Sequence, residues 1–90
     1  YENLMLQEKL GTRIADLRRE RRLTQVQLAK AVGCSVEFIS LVERGVNAPS
    51  VAGLEKFAKV LKVEVVELFT FGRQKRTSRS VRKQGVLSTR

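Results

Sequence analysis

The chain has no histidine and a single cysteine, Cys34, among its 90 residues. Without an imidazole it can build no Ser-His or Cys-His nucleophile pair and no histidine-bearing metal site. One thiol excludes an intrachain disulfide framework and a cysteine-rich zinc site, and it suits a reducing compartment. The sequence also lacks a Gly-rich phosphate loop and a nucleophile beside a base. No catalysis, cofactor or metal is therefore expected. Charges and hydroxyls remain. Lys and Arg number 18 against 9 for Asp and Glu, a net of +9, and such an excess points to a polyanionic partner. Thr24, Ser35 and Ser50 each stand just ahead of an apolar-periodic stretch, where a hydroxyl can cap a helix.

The charge is unevenly placed. Residues 1–71 hold eleven basic and nine acidic side chains, a net of +2, whereas residues 72–90 hold seven basic and no acidic ones. Arg73, Lys75, Arg76, Arg79, Arg82, Lys83 and Arg90 supply that charge, with almost no apolar periodicity around them. A disordered basic tail over 72–90 is expected, with a merely solvated terminus as the plain alternative. The domain is expected over 10–71, where an apolar content of 42% for the whole chain allows a small packed core. No apolar run approaches the roughly 18 to 20 residues of a membrane span, and no signal-peptide core opens the chain. A cytoplasmic protein without a membrane partner is expected.

Periodicity gives five helices and no strand. Leu10, Ile14 and Leu17 follow i, i+4, i+7 spacing on a first helix, with a charged outer face. Thr24 opens a second helix with a capping box to Gln27; Leu28, Ala29 and Val32 form its buried face and Gly33 ends it. Ser35 caps a third over Val36–Glu43, burying Ile39 and Val42, with Gly45 as its stop. Ser50 caps a fourth on Val51, Leu54, Phe57, Ala58 and Leu61, and a short fifth covers about Val65 to Phe69. The fold class is all-α.

The second and third helices are joined so tightly that they must cross steeply, with Gly33 permitting the left-handed turn and Ala29 a close approach. Such a pair presents the second of its helices outward, at a size that fits a DNA major groove. Leu17-Arg18, Leu23-Thr24-Gln25, Leu28-Ala29, Gly33, Ser35, Ile39-Ser40, Glu43-Arg44-Gly45 and Pro49-Ser50 stand in register with a known pattern. Leu54, Ala58, Leu61-Lys62-Val63 and Glu67-Leu68-Phe69 continue it. From about Ile14 to Phe69 the chain resembles the lambda-repressor and Cro-like helix-turn-helix domain, also called the XRE family. The resemblance implies a five-helix DNA-binding domain. It implies backbone contacts from Thr24 and Gln25 at the second helix, and from Arg44, Gly45 and Asn47 beyond the third. Base reading would fall to Ser35, Val36, Glu37, Ser40 and Leu41. Arg18 and Glu43 match a family pair that forms an inner salt bridge.

Departures from the pattern are informative. Arg22 and Lys62 replace frequent glycines, and either can sit at φ > 0 at a cost of about 1 kcal/mol. Residues 35–41 hold no Arg, Gln or Asn, so the common bidentate contacts to guanine and adenine are missing. Ser35 can bond a base or phosphate, Glu37 can accept from cytosine N4, and Val36 or Leu41 can meet a thymine methyl. Cys34 reads as a half-buried turn residue ahead of a redox sensor. Phe38 reads as packing toward the fourth helix ahead of stacking at DNA. Val66 and Phe71 read equally as scattered surface apolars or as a dimer seam. The expected function is a sequence-specific DNA-binding transcriptional regulator, a repressor by preference, acting as a homodimer on a palindrome in double-stranded DNA. The alternatives are the antitoxin of a toxin–antitoxin pair and a protein-interaction module of the same fold.

Overall fold

The computed structural model describes residues 2–71, and these form five helices: α1 (Glu2–Glu20), α2 (Gln25–Val32), α3 (Val36–Glu43), α4 (Val51–Leu61) and α5 (Val65–Leu68). The basic tail expected over 72–90 lies outside the described residues. Helix α1 carries the expected Leu10, Ile14 and Leu17 stripe into the core. It begins eight residues ahead of Leu10, and Gln7 and Glu8 meet the turn at Gly45 rather than the apolar core. None of the helices among the described residues is long and apolar enough to cross a membrane.

One core holds the helices together. Ile14, Leu28, Ile39, Phe57, Leu61 and Leu68 are fully enclosed and come from all five elements. Burying each such side chain contributes roughly 1.5–3 kcal/mol. Val51 does not join them. At 75% exposed it lies outside the stripe its spacing suggested; it is the first residue of α4, directly after the Ser50 cap. Phe38 and Cys34 pack against the core edge, half-buried.

Hydroxyl caps open α2, α3 and α4. The hydroxyls of Thr24, Ser35 and Ser50 accept from the backbone N–H groups of Gln27, Phe38 and Gly53, all at 3.0 Å. At Thr24 the box closes, because its own N–H donates to Gln27 Oε1 at 2.8 Å. The C-terminal ends of α1 to α4 repeat a single device. A left-handed residue follows the helix, and the next N–H reaches back to a carbonyl of the last turn. Leu23, Cys34, Val46 and Val63 make that bond to Arg18, Ala29, Leu41 and Ala58 at 2.9–3.1 Å. The left-handed residues are Arg22 (φ 60°), Gly33 (φ 92°), Gly45 (φ 80°) and Lys62 (φ 63°).

The outer face of α1 is less solvated than its charges suggest. Arg13 Nε donates to the Glu67 carbonyl at 2.8 Å, Arg18 Nη1 to Leu23 at 2.8 Å, and Arg21 Nε to Leu61 at 2.7 Å. Leu61 and Glu67 lie at the C-terminal ends of α4 and α5, the negative poles of those helices, and Leu23 lies in the loop between α1 and α2.

Candidate nucleic-acid interface

Helices α2 and α3 are separated by Gly33, Cys34 and Ser35 alone. The left-handed backbone at Gly33 turns the chain sharply, so α3 crosses α2 with Ile39 and Val42 inward. Glu37, Ser40, Leu41 and Arg44 follow i, i+3, i+4, i+7 spacing and share the opposite stripe. Glu37 and Arg44 are exposed, and Ser40 and Leu41 half-buried. Val36 stands on the flank and packs against the core. Ser35 is exposed at the helix entrance with its oxygen engaged on the Phe38 N–H. That bond leaves its hydroxyl hydrogen able to donate outward.

The N-terminus of α2 lies beside this stripe, and its first amides have no intrahelical partner by construction. The Gln25 side chain is fixed sideways: Nε2 donates to Glu43 Oε1 at 2.9 Å. Glu43 also receives the Arg18 fork, Nε to Oε2 at 2.7 Å and Nη2 to Oε1 at 3.2 Å. The Arg18 and Glu43 side chains retain 12% and 6% exposure. One carboxylate thus ties α1, α2 and α3 together and holds the Gln25 amide at the α2 entrance. Gln25 keeps a second amide hydrogen and its carbonyl for an outside partner.

Beyond α3 the chain turns through Arg44, Gly45, Val46 and Asn47. Gly45 is buried, and both of its polar groups are engaged: its N–H donates to Val42 O at 3.0 Å and its carbonyl accepts from Gln7 Nε2 at 3.0 Å. Its role is to shape the turn. Arg44 and Asn47 are exposed on either side, and the Arg44 side chain has no partner among the described residues.

Gln7 and Gly11 are absent from the residues that the sequence singles out. A Cβ on Gly11 would strike the Val42 carbonyl and come within 2.9 Å of Glu43 O, so the bare glycine lets α1 lie against the end of α3. Gln7, Gly11, Ile14 and Arg18 follow i, i+4, i+7, i+11 spacing, and extending the core stripe upstream would have found them. Elsewhere, burial pushes the Cys34 thiol above its ordinary value, which disfavours the reactive thiolate. Val66 is 68% exposed. Phe71 meets Phe69 edge to face at 6.2 Å between centroids, with Lys9 Nζ 5.9 Å from the Phe71 centroid.

Comparison with known proteins agrees with this geometry. The model of a helix-turn-helix domain family matches residues 9–69. An uncharacterized HTH-type transcriptional regulator, y4dJ of Sinorhizobium fredii, is 38% identical over 65 residues, covering 72% of this chain and 84% of that protein. The immunity repressor protein of Bacillus phage phi105 is 41% identical over 56 residues, 62% of this chain and 39% of the longer repressor. Among solved structures, the restriction-modification controller protein C.AhdI from Aeromonas hydrophila superposes with a TM-score of 0.73 at 32% identity. That match covers 77% of this chain and 100% of the controller. With the short α2–α3 turn, the left-handed stops and the outward α3 stripe in place, the chain belongs to the helix-turn-helix domain family, in its lambda-repressor and Cro-like form.

Proposed function

We propose that this protein is a transcriptional repressor that binds a palindromic site in double-stranded DNA as a homodimer, in the cytoplasm and without catalysing a reaction. The observation that carries the reading is the α3 stripe of Glu37, Ser40, Leu41 and Arg44. It is left out of the core and bordered by the α2 N-terminus on one side and the Arg44–Asn47 turn on the other. With α3 in the major groove, Thr24, Gln25, Arg44 and Asn47 take phosphates, and Gly45 sets the turn that presents them. Ser35, Val36, Glu37, Ser40 and Leu41 face base edges. Two such helices lie roughly 34 Å apart, one helical turn of DNA.

Glu37 is the acidic member of that set. It repels phosphate and accepts from cytosine N4. Selection of binding sites from random DNA by the wild type and by Glu37→Gln tests the reading. The variant should bind non-specific DNA more tightly and change its preference at one base pair of each half-site, a discrimination of about 1–3 kcal/mol. An identical consensus for both proteins would remove Glu37 from base readout.

A further inference from the structure

The peptide unit between Gly45 and Val46 is held at both polar groups. Its carbonyl accepts from Gln7 Nε2 at 3.0 Å, and its N–H donates to Leu41 O at 2.9 Å. The first bond spans 38 positions of sequence and comes from the second turn of α1. Around it, Glu8 presses on the same glycine: a Cβ on Gly45 would lie 2.9 Å from Glu8 Cα. Glycine at φ 80° is the freest backbone in the turn. Rotation there would swing Arg44 and Asn47 apart, since one precedes and the other follows the held peptide. Gln7 is the one side chain that bonds this unit among the described residues. Gln7 lies just ahead of the helix-turn-helix match, which starts at residue 9, on the same continuous helix α1.

We infer that Gln7 is a positioning residue for DNA binding: by holding the Gly45 carbonyl it fixes the turn that presents Arg44 and Asn47 to the phosphate backbone. The inference rests on the phosphate role proposed for that turn. Without the bond, the turn samples other orientations and each half-site grips the phosphates less firmly. The bases read by α3 are unaffected, because α3 is anchored separately by Ile39, Val42 and the Glu43 junction.

The test uses the full chain and a duplex carrying its selected site, with wild type, Gln7→Met, Arg44→Ala and the double variant. Met matches Gln in length and removes the donor. Affinity is measured across a salt series, alongside melting temperature and amide hydrogen exchange. Gln7→Met should bind about tenfold more weakly, equal to about 1.4 kcal/mol. Its slope of log K against log salt should fall by about 0.9 for each phosphate no longer neutralised. The Gly45 and Val46 amides should exchange faster while those of α4 do not, and the selected consensus should stay the same. In the Arg44→Ala background, Gln7→Met should cost much less. Full additivity, or an unchanged affinity and slope beside an active Arg44→Ala effect, overturns the positioning role alone. An Arg44→Ala protein with the wild-type slope instead overturns the phosphate reading of the turn. A merely structural Gln7 would lower the melting temperature and leave slope and coupling untouched. If Gln7→Met is poorly folded, Gln7→Ala gives the same comparison with a smaller side chain.

Discussion

Glu43 accepts from Arg18 through both oxygens and from Gln25 through one, so a single carboxylate serves three helices. Both ions are nearly removed from water, at 12% and 6% side-chain exposure. Desolvation offsets most of their attraction, so the pair fixes geometry more than it stabilises. Removing one partner is a different matter, because the other remains buried without a counter-charge. Glu43→Ala and Arg18→Ala should each lower unfolding free energy in urea by about 3 kcal/mol. The double variant Arg18→Met/Glu43→Leu, which removes both desolvation costs, should lose less than either. Single losses below about 1 kcal/mol would place the pair with ordinary exposed bridges. Arg18 and Glu43 stand out in the sequence through their match to the family pair. Gln25 as the third member does not, because a Gln at a helix entrance reads equally as a group facing outward.

Helix ends show where sequence informs and where it runs out. Three hydroxyl caps and two glycine stops are legible because each acts within four residues of its own position. The start of α1 is not, since Gln7 and Gly11 answer to Gly45 and Val42, more than thirty positions away. The partners of Arg13 and Arg21 are farther still, at 54 and 40 positions. Val51 fits the apolar spacing but stands exposed in the first turn of α4, where spacing alone cannot tell a buried position from an exposed one. The stops also give a stability test. Arg22 and Lys62 occupy left-handed positions at φ 60° and 63° that glycine would adopt without Cβ strain. Arg22→Gly and Lys62→Gly should each stabilise the protein by about 1 kcal/mol. A melting temperature about 4–8 °C higher would register that gain. Gly45→Ala should move it the other way, through both φ and the Glu8 contact. A fall in melting temperature with Arg22→Gly would mean that the Arg22 side chain contributes more than its backbone strain costs.

For the molecule as a whole, the question is which charges attract DNA. The described part of the chain is almost balanced, and most of its arginines are already engaged. Arg13, Arg18 and Arg21 donate to carbonyls, Arg18 also to Glu43, and Arg19 to Asp16 at 3.3 Å. Only Arg22 and Arg44 are arginines without a partner among the described residues. The α3 stripe contributes Glu37, which repels phosphate, and no Arg, Gln or Asn between residues 35 and 41. Yet phosphate contacts dominate the affinity of DNA-binding proteins. Seven further basic residues lie between 72 and 90 with no acid among them. On their charge alone they should supply much of the non-specific attraction, through phosphates along either groove. Truncation after Phe71 should therefore flatten the slope of log K against log salt by about 0.9 for each phosphate released, several units for a dimer. The selected consensus should stay the same, because Ser35 to Leu41 are retained. A truncated protein with the full-length slope would leave residues 72–90 as a merely solvated terminus or as the binder of an acidic partner other than DNA. Arg22, Arg44, the exposed lysines of residues 2–71 and the amides at the entrance of α2 would then have to supply the attraction.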